Sequence, residues 1–207
     1  MDEPNMEADG VQQERQANNE KTWKAHSTGG GAMSEERLIR QGAPTLAGIK
    51  TGSLFPCACV CRATLLSEIR RINRTLTPKG LCLLPLRIAD GRALLYLYRP
   101  ARLSRDLQDS LAAELLRRAG YPEGGCAKCL AQLIRRFRAG EEFPHEVGLF
   151  LSYPPEDVRG FIEHRDDGCK CTGLWKVYGD EANAKRLFAQ YRKCTQIYCA
   201  LWQAGSD

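Results

Sequence analysis

The runs Leu81 to Ile88 and Ala93 to Tyr98 face each other across Ala89-Asp90-Gly91. Two apolar runs joined through a short Asp-Gly turn read as a β-hairpin. A hairpin is at best marginally stable in water, so the rest of the chain has to cover it with further strands or helices. The sequence offers both. Residues 62–76 place Leu65, Leu66, Ile69, Ile72 and Leu76 at helical spacing, with Arg62, Arg70, Arg71 and Arg74 as the wet side.

The same periodicity predicts other helices. Ser34 caps a short one carrying Leu38 and Ile39, ended by Gly42, and Pro44 opens a second through Leu46 and Ile49 before a turn at Thr51-Gly52-Ser53. Ser104 caps a helix with Leu107, Leu111, Leu115 and Ala119 that stops at Gly120, and another spans Cys126–Ala139. Pro154-Pro155-Glu156-Asp157 opens a helix through Val158, Phe161 and Ile162. After Gly179-Asp180 a final helix aligns Ala184, Leu187, Phe188, Tyr191, Cys194, Tyr198 and Leu201 in one stripe. Val147 to Leu151 and Cys171 to Tyr178 read as two further strands. The expected fold is α+β or mixed α/β, a single sheet of about four strands covered by helices.

Before this pattern begins, residues 1–32 are rich in Asn, Gln, Glu and Gly and carry no sustained apolar period. They are expected to form a disordered N-terminal tail, with residues 33–203 as a single globular domain. Hydrophobic residues at 43% and charged residues at 27% place the chain within ordinary globular usage. Residues 1–33 hold six acidic and three basic side chains, so the net +5 of the whole leaves +8 on the remainder. A basic domain attracts anions, and a small anionic ligand is the expected partner. Nucleic acid is unlikely: the Arg70, Arg71 and Arg74 helix is basic, but binding would require a continuous basic face meeting an aromatic or base-reading surface, and charge alone does not supply one.

Ten cysteines suit a disulfide framework in a secreted chain, yet no basic segment leads into an apolar run with a cleavage site. Nor is there a run of roughly 18 apolar residues to span a bilayer. The expectation is therefore a cytoplasmic protein whose cysteines are thiols. Neither a Gly-x-Gly-x-x-Gly turn nor a Gly-Lys-Ser/Thr phosphate loop is present, and no cofactor is assigned.

Four separated segments carry a resemblance: Ala43 to Lys50 (APTLAGIK), Phe143 to Phe150 (FPHEVGLF), Tyr153 to Ile162 (YPPEDVRGFI) and Gly173 to Tyr178 (GLWKVY). In order and spacing the chain resembles the bacterial family known as domain of unknown function 3793, over roughly Glu36 to Trp202. The resemblance implies bacterial origin and family membership, and it implies no reaction.

Candidate chemistry follows from residue types. His145 and Glu146, at the entrance of a predicted strand, are candidates for proton transfer, histidine as shuttle and carboxylate as orienting group. Local capping by His145 and a solvated Glu146 is the plainer reading. Lys50 and Lys176 are candidates for holding an anionic group. Glu156 and Asp157, following Pro155, read as partners of exposed helix amides before they read as metal ligands. Cys57, Cys59, Cys61, Cys126, Cys129, Cys169 and Cys171 are candidate soft ligands, although only Cys126-Ala127-Lys128-Cys129 has the spacing of a zinc pair. At a helix start the same pair suits thiol redox exchange. Three readings stand side by side: an anion-binding or regulatory domain, a cysteine-based metal or redox protein, and a small enzyme using His145.

Overall fold

The computed structural model describes residues 33–140, 142–165 and 167–205; the tail expected over residues 1–32 lies outside them. The protein is mixed α/β, and its centre is a three-stranded antiparallel sheet of order β1-β3-β2. The strands are β1 Gly52–Ala58, β2 Cys82–Ala89 and β3 Arg92–Tyr98. The β2–β3 hairpin turns at Asp90 and Gly91, both in the left-handed region, as an Asp-Gly hairpin requires. Edge strands β1 and β2 each contain a proline, Pro56 and Pro85, tolerated because an edge leaves one side of the ladder unpaired. The register of β2 slips between Pro85 and Arg87.

Central strand β3 is buried on both faces. Ala93, Leu95 and Leu97 pack with Phe55 and Cys57 against α1 (Glu35–Leu46) and α2 (Arg62–Leu76), through Leu38, Leu65, Ile69 and Ile72. Leu94, Tyr96 and Tyr98 pack on the other side with residues of α3 (Pro100–Asp106), α4 (Ser110–Arg118), α5 (Cys126–Ala139) and α6 (Val147–Phe150). A third, smaller core joins a separate hairpin, β4 (Cys171–Thr172) and β5 (Lys176–Val177), to α8 (Glu181–Gln203): Trp175 and Val177 meet Ala184, Phe188 and Tyr191. Helix α7 (Pro155–His164) precedes that hairpin in the chain and contacts β5.

The expected single sheet of about four strands is thus corrected to a three-stranded sheet and a separate two-stranded hairpin. Cys171 to Tyr178 folds back on itself, because Gly173 N–H bonds the Trp175 carbonyl and Gly173 lies against Phe188 where a Cβ would come within 2.1 Å of the ring. Val147 to Leu151 is not a strand but contains the one-turn helix α6. All four helical residues are buried, and a short run buried all round has no period to separate helix from strand. Strand β1 replaces the predicted turn at Thr51-Gly52-Ser53. Gly42 continues helix α1 instead of ending it; a Cβ there would meet Leu97 Cδ2 at 2.5 Å, so the glycine lets the helix lie on the sheet. The single helix expected from Ser104 to Gly120 is two, broken where the Asp109 carboxylate caps α4 by accepting from the Leu111 and Ala112 amides.

Candidate functional site

Helix α1 ends in a loop, residues 47–51, that four side chains hold in place. Arg99 satisfies the carbonyls left over at the helix end, donating from Nε to Thr45 at 2.8 Å and from Nη2 to Leu46 at 2.6 Å. Arg102 donates to the Gly48 carbonyl, Ser152 Oγ accepts the Thr51 amide at 2.7 Å, and Asp106 accepts the Thr51 hydroxyl. The Pro44 carbonyl accepts both the Ile49 and Lys50 amides at 3.0 Å. These contacts fix the backbone of Lys50.

Its side chain runs into the third core. The ammonium lies 5.6 Å from the Tyr153 ring centroid and 5.8 Å from that of Tyr191, and Tyr153 stacks on Trp175 at 4.7 Å. Among the described residues no carboxylate lies within ion-pair distance of Lys50. Burial pulls its amine from the ordinary 10.5 down to about 8. Burial raises the phenol of the same Tyr191, while the nearby Arg102 charge lowers it and that of Asp106 raises it. The Arg102 Nε is buried and has no hydrogen-bond partner among the described residues. Tyr191 therefore has near it both an ammonium without a counter-charge and a guanidinium with a spare donor.

The other sequence candidates fall into different surroundings. His145 and Lys176 meet at one ring: the imidazole lies 5.0 Å from the Phe161 centroid and the Lys176 ammonium 5.9 Å. Burial, with the Arg165 charge second, lowers His145 to about 4, so the imidazole is neutral at pH 7. Glu146 turns elsewhere. It is 4% exposed, accepts the Tyr121 hydroxyl at 2.8 Å and pairs with Arg136 Nε at 3.2 Å. Burial and that carboxylate hold the Tyr121 phenol protonated. Lys50 thus keeps Tyr153 and Tyr191, His145 and Lys176 share Phe161, and Glu146 belongs to Tyr121 and Arg136.

Among the described residues no group of three or more His, Cys, Asp or Glu side chains is placed to hold a metal ion. Cys57 and Cys59 are buried in the core against α2, and Cys61 is exposed at the start of that helix. Cys169 and Cys171 lie half-buried at the β4–β5 hairpin, and Cys126 and Cys129 begin α5.

Asp157 has a larger part than sequence reasoning gave it. It is 2% exposed, and its carboxylate accepts Trp175 Nε1 at 2.7 Å and the Tyr178 and Gly179 amides at 2.8 and 2.7 Å. It ties the hairpin to α7, and so sets the ring on which Tyr153 stacks. Tyr153, Tyr191 and Arg102 were likewise missed, since neither a loop tyrosine nor a tyrosine or arginine on a helix carries a local sign of its distant neighbour. The four segments that carry the family resemblance meet here, through Lys50–Tyr153–Trp175, Asp157–Trp175 and His145–Phe161–Lys176.

Fold and site together define a mixed α/β protein with a lysine set among aromatic rings where a helix-end loop joins a small hairpin. A family model described as Protein of unknown function (DUF3793) matches residues 38–207, and the chain belongs to that family. No curated protein and no solved structure matches the chain. Among the described residues no helix is long and apolar enough to cross a membrane.

Proposed function

We propose that this protein is a small-anion-binding domain whose site is centred on Lys50. The observation that carries this reading is the uncompensated positive charge at Lys50, largely withdrawn from water without a carboxylate to offset it. Holding a cation in that way costs stability, and an anion seated between it and the spare Arg102 donor relieves the cost in the bound state. Tyr153, Tyr191 and Trp175 supply a rigid apolar wall that strengthens the electrostatic attraction by excluding water. Lys50 is the ligand-contacting lysine here, while Lys176 and His145 form a neighbouring pair around Phe161. A neutral His145 and a Glu146 committed to Tyr121 and Arg136 support binding over proton transfer.

Calorimetric titration with phosphate, sulfate, citrate and acetate tests the proposal. At least one of these anions binds the wild-type chain, binding is lost in Lys50→Met, and it is retained in Lys176→Ala. Equal binding by folded Lys50→Met would remove Lys50 from the site.

A further inference from the structure

Three cysteines belong to the apolar core on the Tyr96 and Tyr98 face of the central sheet, Cys129 within it and Cys82 and Cys126 packed against it. Cys82 stands directly across from Tyr98 in the β2–β3 register. Cys126 is close enough to act electrostatically on both Tyr96 and Tyr98, whose rings stack at 4.9 Å. Cys129 lies one turn further along α5 and feels Cys126 in turn. Among the described residues these thiols form no group placed to hold a metal ion, which suits exchange between sulfurs better than a shared metal.

The pair at the start of α5 is asymmetric. Cys126 is the first residue of the helix, behind Gly124 and Gly125, whose φ of 105° and 102° bring the chain in by a path that L side chains avoid. Its side chain is half-buried, while Cys129 is 9% exposed and donates weakly to the Pro122 carbonyl at 3.7 Å. Residues three apart on a helix are side-chain neighbours, which places the two thiols side by side in the first turn of α5. Burial first, and the neighbouring Cys126 second, push the Cys129 thiol up and keep it protonated at pH 7, which leaves the less buried Cys126 as the sulfur open to an incoming disulfide.

We propose that Cys126 and Cys129 form a thiol–disulfide exchange site acting on low-molecular-weight disulfides, with Cys126 as attacking sulfur and Cys129 as resolving sulfur. The Cys126 thiolate attacks one sulfur of R–S–S–R′; the S–S bond breaks, and R′S⁻ leaves with the electron pair and takes a proton. Cys129 then gives up its proton and attacks Cys126 Sγ, closing the Cys126–Cys129 disulfide and releasing RS⁻, which that proton neutralises. The substrate disulfide gains two electrons and the dithiol loses two. The half-buried position of Cys126 beside the tyrosines favours a small substrate over a folded protein.

The test is to treat the reduced full-length chain with glutathione disulfide, quench with an alkylating agent and map the cysteines by peptide mass spectrometry. The expected product in the wild type is a Cys126–Cys129 disulfide, with the loss of two hydrogens, and no lasting glutathione adduct at either residue. Cys129→Ser traps the adduct on Cys126, Cys126→Ser forms neither product at this pair, and Cys82→Ser still closes the disulfide. A disulfide-bonded peptide reacts more slowly than glutathione disulfide. Separate alkylation of Cys126 and Cys129 in the oxidised wild type would overturn the site, as would a stable wild-type adduct on Cys126. A disulfide between Cys126 and Cys82 would overturn the assignment of Cys129, and faster reaction of the peptide would overturn the small-substrate class. The wild-type mapping decides the main claim even where a substituted chain fails to fold.

Discussion

Trp175 donates its indole N–H to Asp157 at 2.7 Å, and both partners are more than nine-tenths buried. With the Tyr178 and Gly179 amides on the same carboxylate, one aspartate satisfies three donors of a hairpin whose strands are two residues each. So short a hairpin has little ladder of its own, and its shape depends on this anchor. Asp157→Ala leaves three donors unsatisfied and is expected to cost about 3 kcal/mol or more. Denaturant unfolding measures the loss, and a red shift of tryptophan fluorescence reports the release of Trp175.

A methyl group at Gly52 has nowhere to go. It would stand 2.5 Å from the Phe150 carbonyl oxygen and 2.6 Å from the Tyr96 hydroxyl, which themselves hydrogen-bond at 2.6 Å. Gly52→Ala is expected to destabilise by roughly 2–4 kcal/mol, since backbone and a fully buried ring both have to shift. A lowered melting temperature without loss of cooperativity checks it.

The acid side of the stability profile belongs in part to His145. Its folded value of about 4 lies below the ordinary 6.5, so between these values the unfolded chain binds more protons. The stability it contributes is present above about 6.5 and is lost as pH falls toward about 4. Discounted for screening by solvent at the partly exposed ring, the span corresponds to roughly 2 kcal/mol. His145→Gln is expected to flatten the curve of unfolding free energy against pH in this window.

Lys50→Met is expected to make the protein more stable. The folded amine titrates near 8 and the unfolded one near 10.5, so the penalty for holding its proton is fully present at pH 7 and fades as pH rises through that interval. Replacing the ammonium with an apolar side chain of similar shape is expected to gain about 1–3 kcal/mol at pH 7. Unfolding measured at pH 7 and pH 10 separates this charge effect from packing, because the gain shrinks at the higher pH.

The elements legible in the sequence were those with a period or a punctuated turn. The β2–β3 hairpin, α2, α5 and the start of α7 and α8 each carry one, and the structure has them at those places. Strand β1 was hidden by Pro56 and by Gly52, a residue whose presence there answers to Tyr96 and Phe150 rather than to any local rule. Cys194, Tyr198 and Leu201 continue the apolar stripe of α8 in sequence, but the buried part ends at Tyr191, and Leu201 is 49% exposed. Periodicity shows which face is apolar and does not show how far the body of the protein extends beneath it. Lys50 was legible as a lysine in a family-like segment. Its aromatic surroundings were not, because Tyr153 and Tyr191 are brought to it by contacts 103 and 141 positions distant in the chain.

The measurement closest to the central claim is the titration of Lys50 itself, followed by NMR in protein carrying labelled lysine Cε, alone and with each of phosphate, sulfate, citrate and acetate. The uncompensated site predicts an amine that titrates near 8 in the free protein, as burial requires. It also predicts that at least one anion moves the value upward as it binds, since a negative partner favours the charged amine. A Lys50 that titrates near 10.5 without ligand, or one that no anion shifts, would contradict the assignment of this residue as the anion-binding centre.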